Sequence, residues 1–374
     1  MENAEKERQM VKAAAAKAAE KIIQPRAGEI DAKGIIPQEV VDTFGKQGFL
    51  SIILPEEYGG SDGDVLSFCF LIEETAKVSG ALSLLLLAQG VGILPIWVAG
   101  NPSQKDRYFT RISEKNSLAA FALNEPEAGL DPSFIKSKAE RKEKDYLLNG
   151  RKSFVTNGSI AHLYTVFALA PDGVSAFVVE DGTPGLRFGQ KEEKIGMRGA
   201  VTTDVILEDC RVPQENRLGE EGDGWKIAMT TLNLSRPAMG AQAVGIAQGA
   251  LDYAVHYAKE RIQFGKPISS FQAIQFMIAD MTTQVEAARS LVYKAAAQVQ
   301  SGSEGAEKLS ATAKCYASEV AMKVTTDAVQ ILGGYGYMKD YPVERMMRDD
   351  KVTQIYEGAN QILRLMVGRD LLKE

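Results

Sequence analysis

The chain has 374 residues, 45% of them apolar and 25% charged, with a formal net charge of −6. That is room for two or three domains of an ordinary soluble protein, and the negative charge without any basic run argues against binding nucleic acid. Two histidines, His162 and His256, and three scattered cysteines, Cys69, Cys210 and Cys315, provide neither metal-ligand spacing nor a disulfide framework. They also argue against Ser-His-Asp and Cys-His catalysis, and free thiols suit a reducing, cytoplasmic setting.

The first stretch, Met1 to Lys21, is charged and alanine-rich, unlike a secretory signal, and its glutamates are unlike a transit peptide. Helical periodicity predicts helices over Ala13 to Ile23, Pro37 to Gly48 with Val40, Val41 and Phe44 on one face, and Val65 to Lys77. The segment Pro55 to Ser61 is a loop by its Pro and Gly content. Ala81 to Ala99 approaches membrane-spanning length. With Gln89, Gly90, Gly92 and Pro95 inside it, it reads instead as a buried helix broken near Pro95, so no membrane span is expected.

From about 117 to 222 the pattern changes to short apolar runs separated by turn dipeptides such as Asn149-Gly150 and Asn157-Gly158. Tyr146 to Leu148, Ser175 to Val179 and Asp204 to Leu207 read as strands of a small β domain. From Trp225 onward helical stripes return: Val244, Ala247, Leu251, Ala254; Phe271, Ile274, Ile278, Met281; Val320, Val324, Ala328, Ile331. With the helix around Ile362 these make a four-helix assembly.

Several stretches interrupt these patterns. Phe121 to Asp131 leads into the β domain, and Lys152 to Gly158 places an aromatic and a hydroxyl on one strand face. Arg261 to Ile268 reads as a helix C-terminus with Gly265 as its left-handed cap and Pro267 beyond it. Gly333-Gly334-Tyr335-Gly336 looks like a phosphate loop but follows a helix, not a strand, which makes a nucleotide-binding Rossmann turn a poor reading. Glu357 follows Ile355 and Tyr356 and precedes Gly358 at the start of the last helix. Desolvation there would raise its pKa and strengthen it as a base. The alternative is a solvated first-turn glutamate complementing the helix dipole.

Seven stretches, in order, resemble the acyl-CoA dehydrogenase family: Pro55 to Gly60, Asn124 to Gly129, Leu148 to Lys152, Thr156 to Gly158, Arg261 to Pro267, Gln330 to Gly334 and Ile355 to Gly358. The resemblance runs from end to end. It implies an α+β fold with an N-terminal helical domain (1–116), a central small β domain (117–223) and a C-terminal four-helix bundle (224–374). It also implies bound FAD, a homotetramer, an acyl-CoA substrate, and electron-transferring flavoprotein as electron acceptor. Glu357 resembles the family's base, which takes the α-proton while a hydride leaves the β-carbon for flavin N5.

Other roles carry over by position. The segment with Phe121, Leu123, Asn124, Gly129 and Leu130 resembles the one that holds the flavin ring edge. Phe154 resembles the aromatic residue near the ring, and Thr156 the hydroxyl near N5. Arg261, Gln263 and Phe264, with Gln330, Gly333 and Gly334, resemble the FAD diphosphate and adenosine contacts, partly across a subunit interface. Ala359 and Gln361 fall in the family's cofactor-contacting segment. Leu130, Asn233, Arg236, Tyr356 and Gly358 fall at substrate-binding positions, with Arg236 near the acyl-CoA entrance.

The chain departs from the family at Asn124, Leu130 and Ala359, where Thr, Ser and Thr are usual; Leu130 and Ala359 lose a side-chain hydrogen bond. Some branches place the base just before the arginine; here that residue is Ser235, so Glu357 has no rival. The resemblance implies that the Ala81 to Pro95 region lines the acyl pocket, and no Arg or Lys lies between Ala81 and Ala99, which argues against glutaryl-type substrates. Three alternatives share the scaffold: an enoyl-CoA reductase, an acyl-CoA oxidase, and a non-catalytic flavin-binding electron-transfer subunit.

Overall fold

The computed structural model of the chain describes residues 2–129 and 134–372. The first part is helical: α1 (Glu2–Ala18), α2 (Ala27–Lys33), α3 (Gln38–Lys46), α4 (Val65–Ala76), α5 (Gly80–Ala99) and α6 (Pro102–Lys115). Their starts are encoded locally. Asp64 caps α4 by accepting from the Ser67 amide at 2.8 Å, and Ser79 caps α5 through the Leu82 amide at 3.2 Å. Asn101 and Gln104 form a reciprocal capping box around Pro102. Helix α1 begins well before Ala13, because its first turns are polar and held by side-chain bonds such as Gln9 to Glu5 and Arg8 to Asp64. An apolar-periodicity criterion does not register such turns. A single π turn, Ala19–Ile23, continues it.

Helix α5 does not break at Pro95 but runs through it to Ala99. An internal proline costs a helix about 3 kcal/mol. Here Leu84 to Leu87, Ile93 and Ile96 are buried on every side, which outweighs it. The helix is apolar and long enough to cross a membrane, yet 78% of that window is buried inside the protein.

The middle of the chain forms one sheet: β1 (Ala119–Ala122), β2 (Lys138–Lys142), β3 (Asp145–Thr156), β4 (Leu163–Ala170), β5 (Gly173–Glu180), β6 (Leu186–Phe188), β7 (Thr202–Pro213) and β8 (Arg217–Leu218). The order is β6-β7-β3-β2-β4-β5-β8, with β1 parallel to β4. Strands β3 and β7 are much longer than expected. Their pairing slips twice, between Leu148 and Gly150 and between Lys152 and Val155, so the alternation that marks a strand is broken midway. Strand β4 was not expected at all. It is buried along nearly its whole length, so it lacks an alternating pattern. Phe121, at the head of the stretch that leads into the β domain, lies on strand β1.

The last part comprises α7 (Gly224–Glu260), α8 (Gln272–Gln300), α9 (Ala306–Leu332), α10 (Pro342–Asp350) and α11 (Asn360–Leu371). The four expected helices are present and α10 is added. Its buried apolar positions are only Val343 and Met346, set among charges, too few for a periodic signal. Residues 261–268 do not end the helix by a glycine cap. Helix α7 stops at Glu260, and β9 (Ile262–Gln263) pairs with β10 (Lys266–Pro267) across Phe264 (φ +53°) and Gly265 (φ +77°). Two successive left-handed residues are what a two-residue hairpin turn requires. Helix α5 packs against α4, α7 and β1, so all three parts of the chain meet along it.

Candidate active site

A cavity of about 390 Å³ lies where α5, β1, β3, α7 and the segment before α11 converge. One wall is apolar, from Leu84, Leu87, Ala88 and Val91 of α5 with Met239 of α7. Phe121, Leu123, Asn124 and Gly129 also line it, together with Ser153, Phe154 and Thr156 of β3. Tyr356, Glu357, Gly358 and Ala359 from the segment before α11 join them.

Glu357 sits on a turn that few sequences adopt: its φ is +52° and that of Gly358 is +95°. A Cβ at Gly358 would meet Leu363 Cδ2 at 2.9 Å, so this position needs glycine twice over. Helix α9 grips the turn from behind. Lys314 Nζ donates to the Gly358 carbonyl at 2.7 Å and to Asn360 Oδ1 at 3.2 Å. The Asn360 amide donates to Ser318 Oγ at 2.9 Å. Helix α11 therefore starts three residues after Glu357, which lies on the turn rather than in a solvated first helical turn.

The carboxylate faces the cavity, and its Oε2 is buried with no hydrogen-bond partner among the described residues. Burial pushes its pKa up to about 7, against the pull of Arg236 and then Lys314. The Glu357 amide N–H is likewise without a backbone partner among the described residues. Tyr356 is tied elsewhere: its hydroxyl bonds Gln242 Oε1, and the Gln242 amide donates to Ser83 Oγ at 2.8 Å. This braces the turn to α7 and α5.

Arg236 does not stand at an entrance. It is buried, donates to Asn233 Oδ1 at 2.7 Å and Ser310 Oγ at 3.3 Å, and leaves Nε without a partner among the described residues. The long helix α7 carries it inward beside Glu357, and Asn233 reaches the site only through it.

Phe154 and Thr156 both line the cavity, but simple alternation does not put them there. Phe154 occupies the second slip of β3 in left-handed backbone (φ +56°), and its ring is 69% exposed. The strand beneath is fixed by a buried ion pair: Lys152 Nζ to Glu125 Oε1, 2.6 Å, and to the Leu123 carbonyl, 3.2 Å. Glu125 also accepts from the Lys136 amide at 2.7 Å and the Ser137 amide at 3.1 Å, and Ser153 N donates to the Asn124 carbonyl at 2.9 Å. These bonds lock the 121–129 segment onto β3.

A second cleft, of about 470 Å³, is lined by Arg261, Gln263, Gly333 and Gly334 with Tyr257 and Tyr335. Arg261 lies over the Tyr335 ring at 5.0 Å and has no carboxylate partner among the described residues. Phe264, 92% exposed, turns away and packs edge-on against Phe271. Gln330 and Gln361 are exposed and line neither cavity. Leu130 lies outside the described residues. Two residues not singled out from the sequence complete the site, Lys314 and Gln242. A lysine on the apolar face of an otherwise core-facing helix was the readable signal for the first; Gln242 carried none.

The residues present fit a flavin dinucleotide. An open aromatic face, Phe154, and a hydroxyl, Thr156, beside an apolar cavity suit an isoalloxazine ring. In the second cleft an unpaired guanidinium beside two glycines with nothing within 4 Å of an added Cβ suits a diphosphate.

The sequence matches three family descriptions: the acyl-CoA dehydrogenase N-terminal domain over residues 5–116, middle domain over 120–210 and C-terminal domain over 222–372. It is 49% identical over 356 residues to cyclohex-1-ene-1-carbonyl-CoA dehydrogenase of Geobacter metallireducens, covering 94% of each chain. Among solved structures it resembles butyryl-CoA dehydrogenase of Megasphaera elsdenii, with TM-score 0.95, 45% identity and 98% of each chain covered. It also resembles a chain from a structure described as the electron transferring flavoprotein of Acidaminococcus fermentans, with TM-score 0.96, 49% identity and 98% coverage of each.

Proposed function

We propose that this chain, which belongs to the acyl-CoA dehydrogenase family of FAD-dependent oxidoreductases, uses Glu357 as the base that takes the α-proton of an acyl-CoA thioester. The observation that carries this reading is the Glu357 carboxylate itself: one oxygen buried, unpartnered among the described residues and facing the cavity, where burial pushes its pKa up to about 7. A base poised near the working pH is both ionised and strong. The neighbouring unpartnered N–H of Glu357 is placed to donate to the thioester oxygen as enolate charge develops. The apolar wall of α5 excludes water from the acyl group and so strengthens both effects. FAD, when bound, supplies the acceptor for the β-hydride.

Phe121, Leu123, Asn124, Gly129, Phe154 and Thr156 would hold the flavin ring. Arg261, Gln263, Gly333 and Gly334 lie in the other cleft, which supports a dinucleotide site completed by a second copy of the chain in a homotetramer. Electron-transferring flavoprotein is the proposed electron acceptor and the cytoplasm the proposed location. The three parts 1–116, 117–223 and 224–374 are the proposed domains. Among the described residues the cavity-lining cation is Arg236, carried on α7 near Glu357 and not on α5. A distal carboxylate would have no partner there, which favours a compact, uncharged acyl group, whether straight, branched or alicyclic.

The test is anaerobic bleaching of the purified protein's flavin by a panel of acyl-CoAs. Rapid bleaching by short uncharged thioesters and none by glutaryl-CoA is the expected result. A yellow protein that no acyl-CoA bleaches would instead be a flavin-binding electron-transfer subunit, and fast oxygen consumption would make it an oxidase.

A further inference from the structure

Lys314 has no part in the chemistry above, yet its side chain is completely buried. Burying an ammonium is expensive unless something compensates it. Here the compensation is specific. Both of its acceptors, the Gly358 carbonyl and Asn360 Oδ1, belong to the turn that carries Glu357, and no carboxylate hydrogen-bonds to it among the described residues. Burial draws its pKa down to about 8, while the charges of Glu357, Cys315 and Asp350 favour its protonated form and Arg236 opposes it.

The groups around Glu357 are few. Arg236 faces it from α7 and Lys314 from α9, and these are the two cations. Its neighbour Tyr356 is held neutral by burial and bonded to Gln242. From α10, burial pushes Asp350 well up, which makes it a poor anion, and pushes Asp349 up to about 6, where the Met197 amide donates to it. Glu307, at the start of α9, acts on Arg236. Arg236 is held by Asn233 and Ser310 and, among the described residues, makes no hydrogen bond to the turn backbone. Lys314 alone among these groups combines a charge near the carboxylate with a hydrogen bond to the backbone that carries it.

We propose that Lys314 is the positioning residue for the base: its hydrogen bond to Gly358 fixes the left-handed Glu357–Gly358 turn, and its charge keeps the Glu357 carboxylate ionised. This rests on the reading of Glu357 as the base. Two functions in one side chain can be separated by substitution. Lys314→Gln keeps a donor for the Gly358 carbonyl and loses the charge; Lys314→Met loses both.

The experiment uses the FAD-loaded protein and three variants, Lys314→Gln, Lys314→Met and Glu357→Gln. Two quantities are read against pH: the single-turnover rate of flavin reduction, and the infrared carboxylic-acid band that Glu357→Gln removes. Loss of the charge is expected to raise the Glu357 midpoint by about one unit or more in both Lys314 variants. On the acid side the reduction rate then falls about tenfold per unit. Lys314→Met should in addition be slower than Lys314→Gln at high pH, where the carboxylate is ionised in both. A lysine that only supports the fold would lower thermal stability and FAD content and leave the infrared midpoint where it was; that result overturns the proposal. If Lys314→Met does not fold, Lys314→Gln carries the midpoint test. Failure of the base reading is distinguishable: Glu357→Gln would then reduce flavin at the parent rate, whatever the Lys314 variants do.

Discussion

Glu357→Gln should lose activity and gain stability, and the structure sets the size and pH window of both. The substitution keeps side-chain size and removes the carboxylate. Its loss of the base should slow flavin reduction by roughly 10²–10⁴-fold, in kcat as well as kcat/KM, because the carboxylate acts in the transition state rather than in ground-state binding. The stability effect follows from the raised pKa. The native carboxyl titrates at about 7 against an ordinary 4.5. Between those values the unfolded chain has released its proton while the native chain holds it, so the native state loses stability as pH rises through that window. Above pH 7 the full penalty is present, up to about 3 kcal/mol for a shift of this size. Glutamine carries none of it. The variant should therefore melt higher than the parent at pH 8, with the difference shrinking to nothing toward pH 4.5. Thermal unfolding followed by flavin fluorescence across pH, beside single-turnover bleaching, measures both. If the two proteins melt together at every pH, Glu357 is not held with a raised pKa. If bleaching stays fast with full FAD occupancy, Glu357 is not the base.

Two further outcomes are expected. Lys152→Met leaves Glu125 buried without its partner; removing one member of such a pair costs about 3–5 kcal/mol. Because the pair locks the 121–129 segment to β3, denaturant unfolding should show the loss and FAD occupancy should fall with it; a variant of parental stability would mean the pair is not buried in the working protein. Arg261→Ala should lower FAD occupancy and tetramer stability together, since binding and assembly are coupled when two copies share a site. A fully flavin-loaded monomer of the parent in light scattering would remove that argument.

The amino-acid order by itself determined the division into helical, β and helical stretches, and it named several of the groups that line the cavities. Glu357 beside Gly358, Phe154 with Thr156, and Arg261 ahead of Gly265 and Pro267 are all local facts, legible because they lie within a few adjacent residues. Continuity and burial were not local. Pro95 signals a break that α5 does not make, because contacts from α7 and β1 surround the helix. Strand β4 has no alternation, because both its faces are covered. Gly265 reads as a cap until β10 is seen to pair with β9. The same limit applies at the site. That Arg236 lies inside rather than at the mouth, and that Lys314 holds the Gly358 carbonyl from more than forty positions away in the chain, depend on how α7 and α9 pack. The sequence names a carboxylate, and only packing removes water from it. Desolvation and the placing of two cations are properties of the assembled interior, and they decide whether that carboxylate is a solvated surface charge or one whose pKa burial pushes up to about 7.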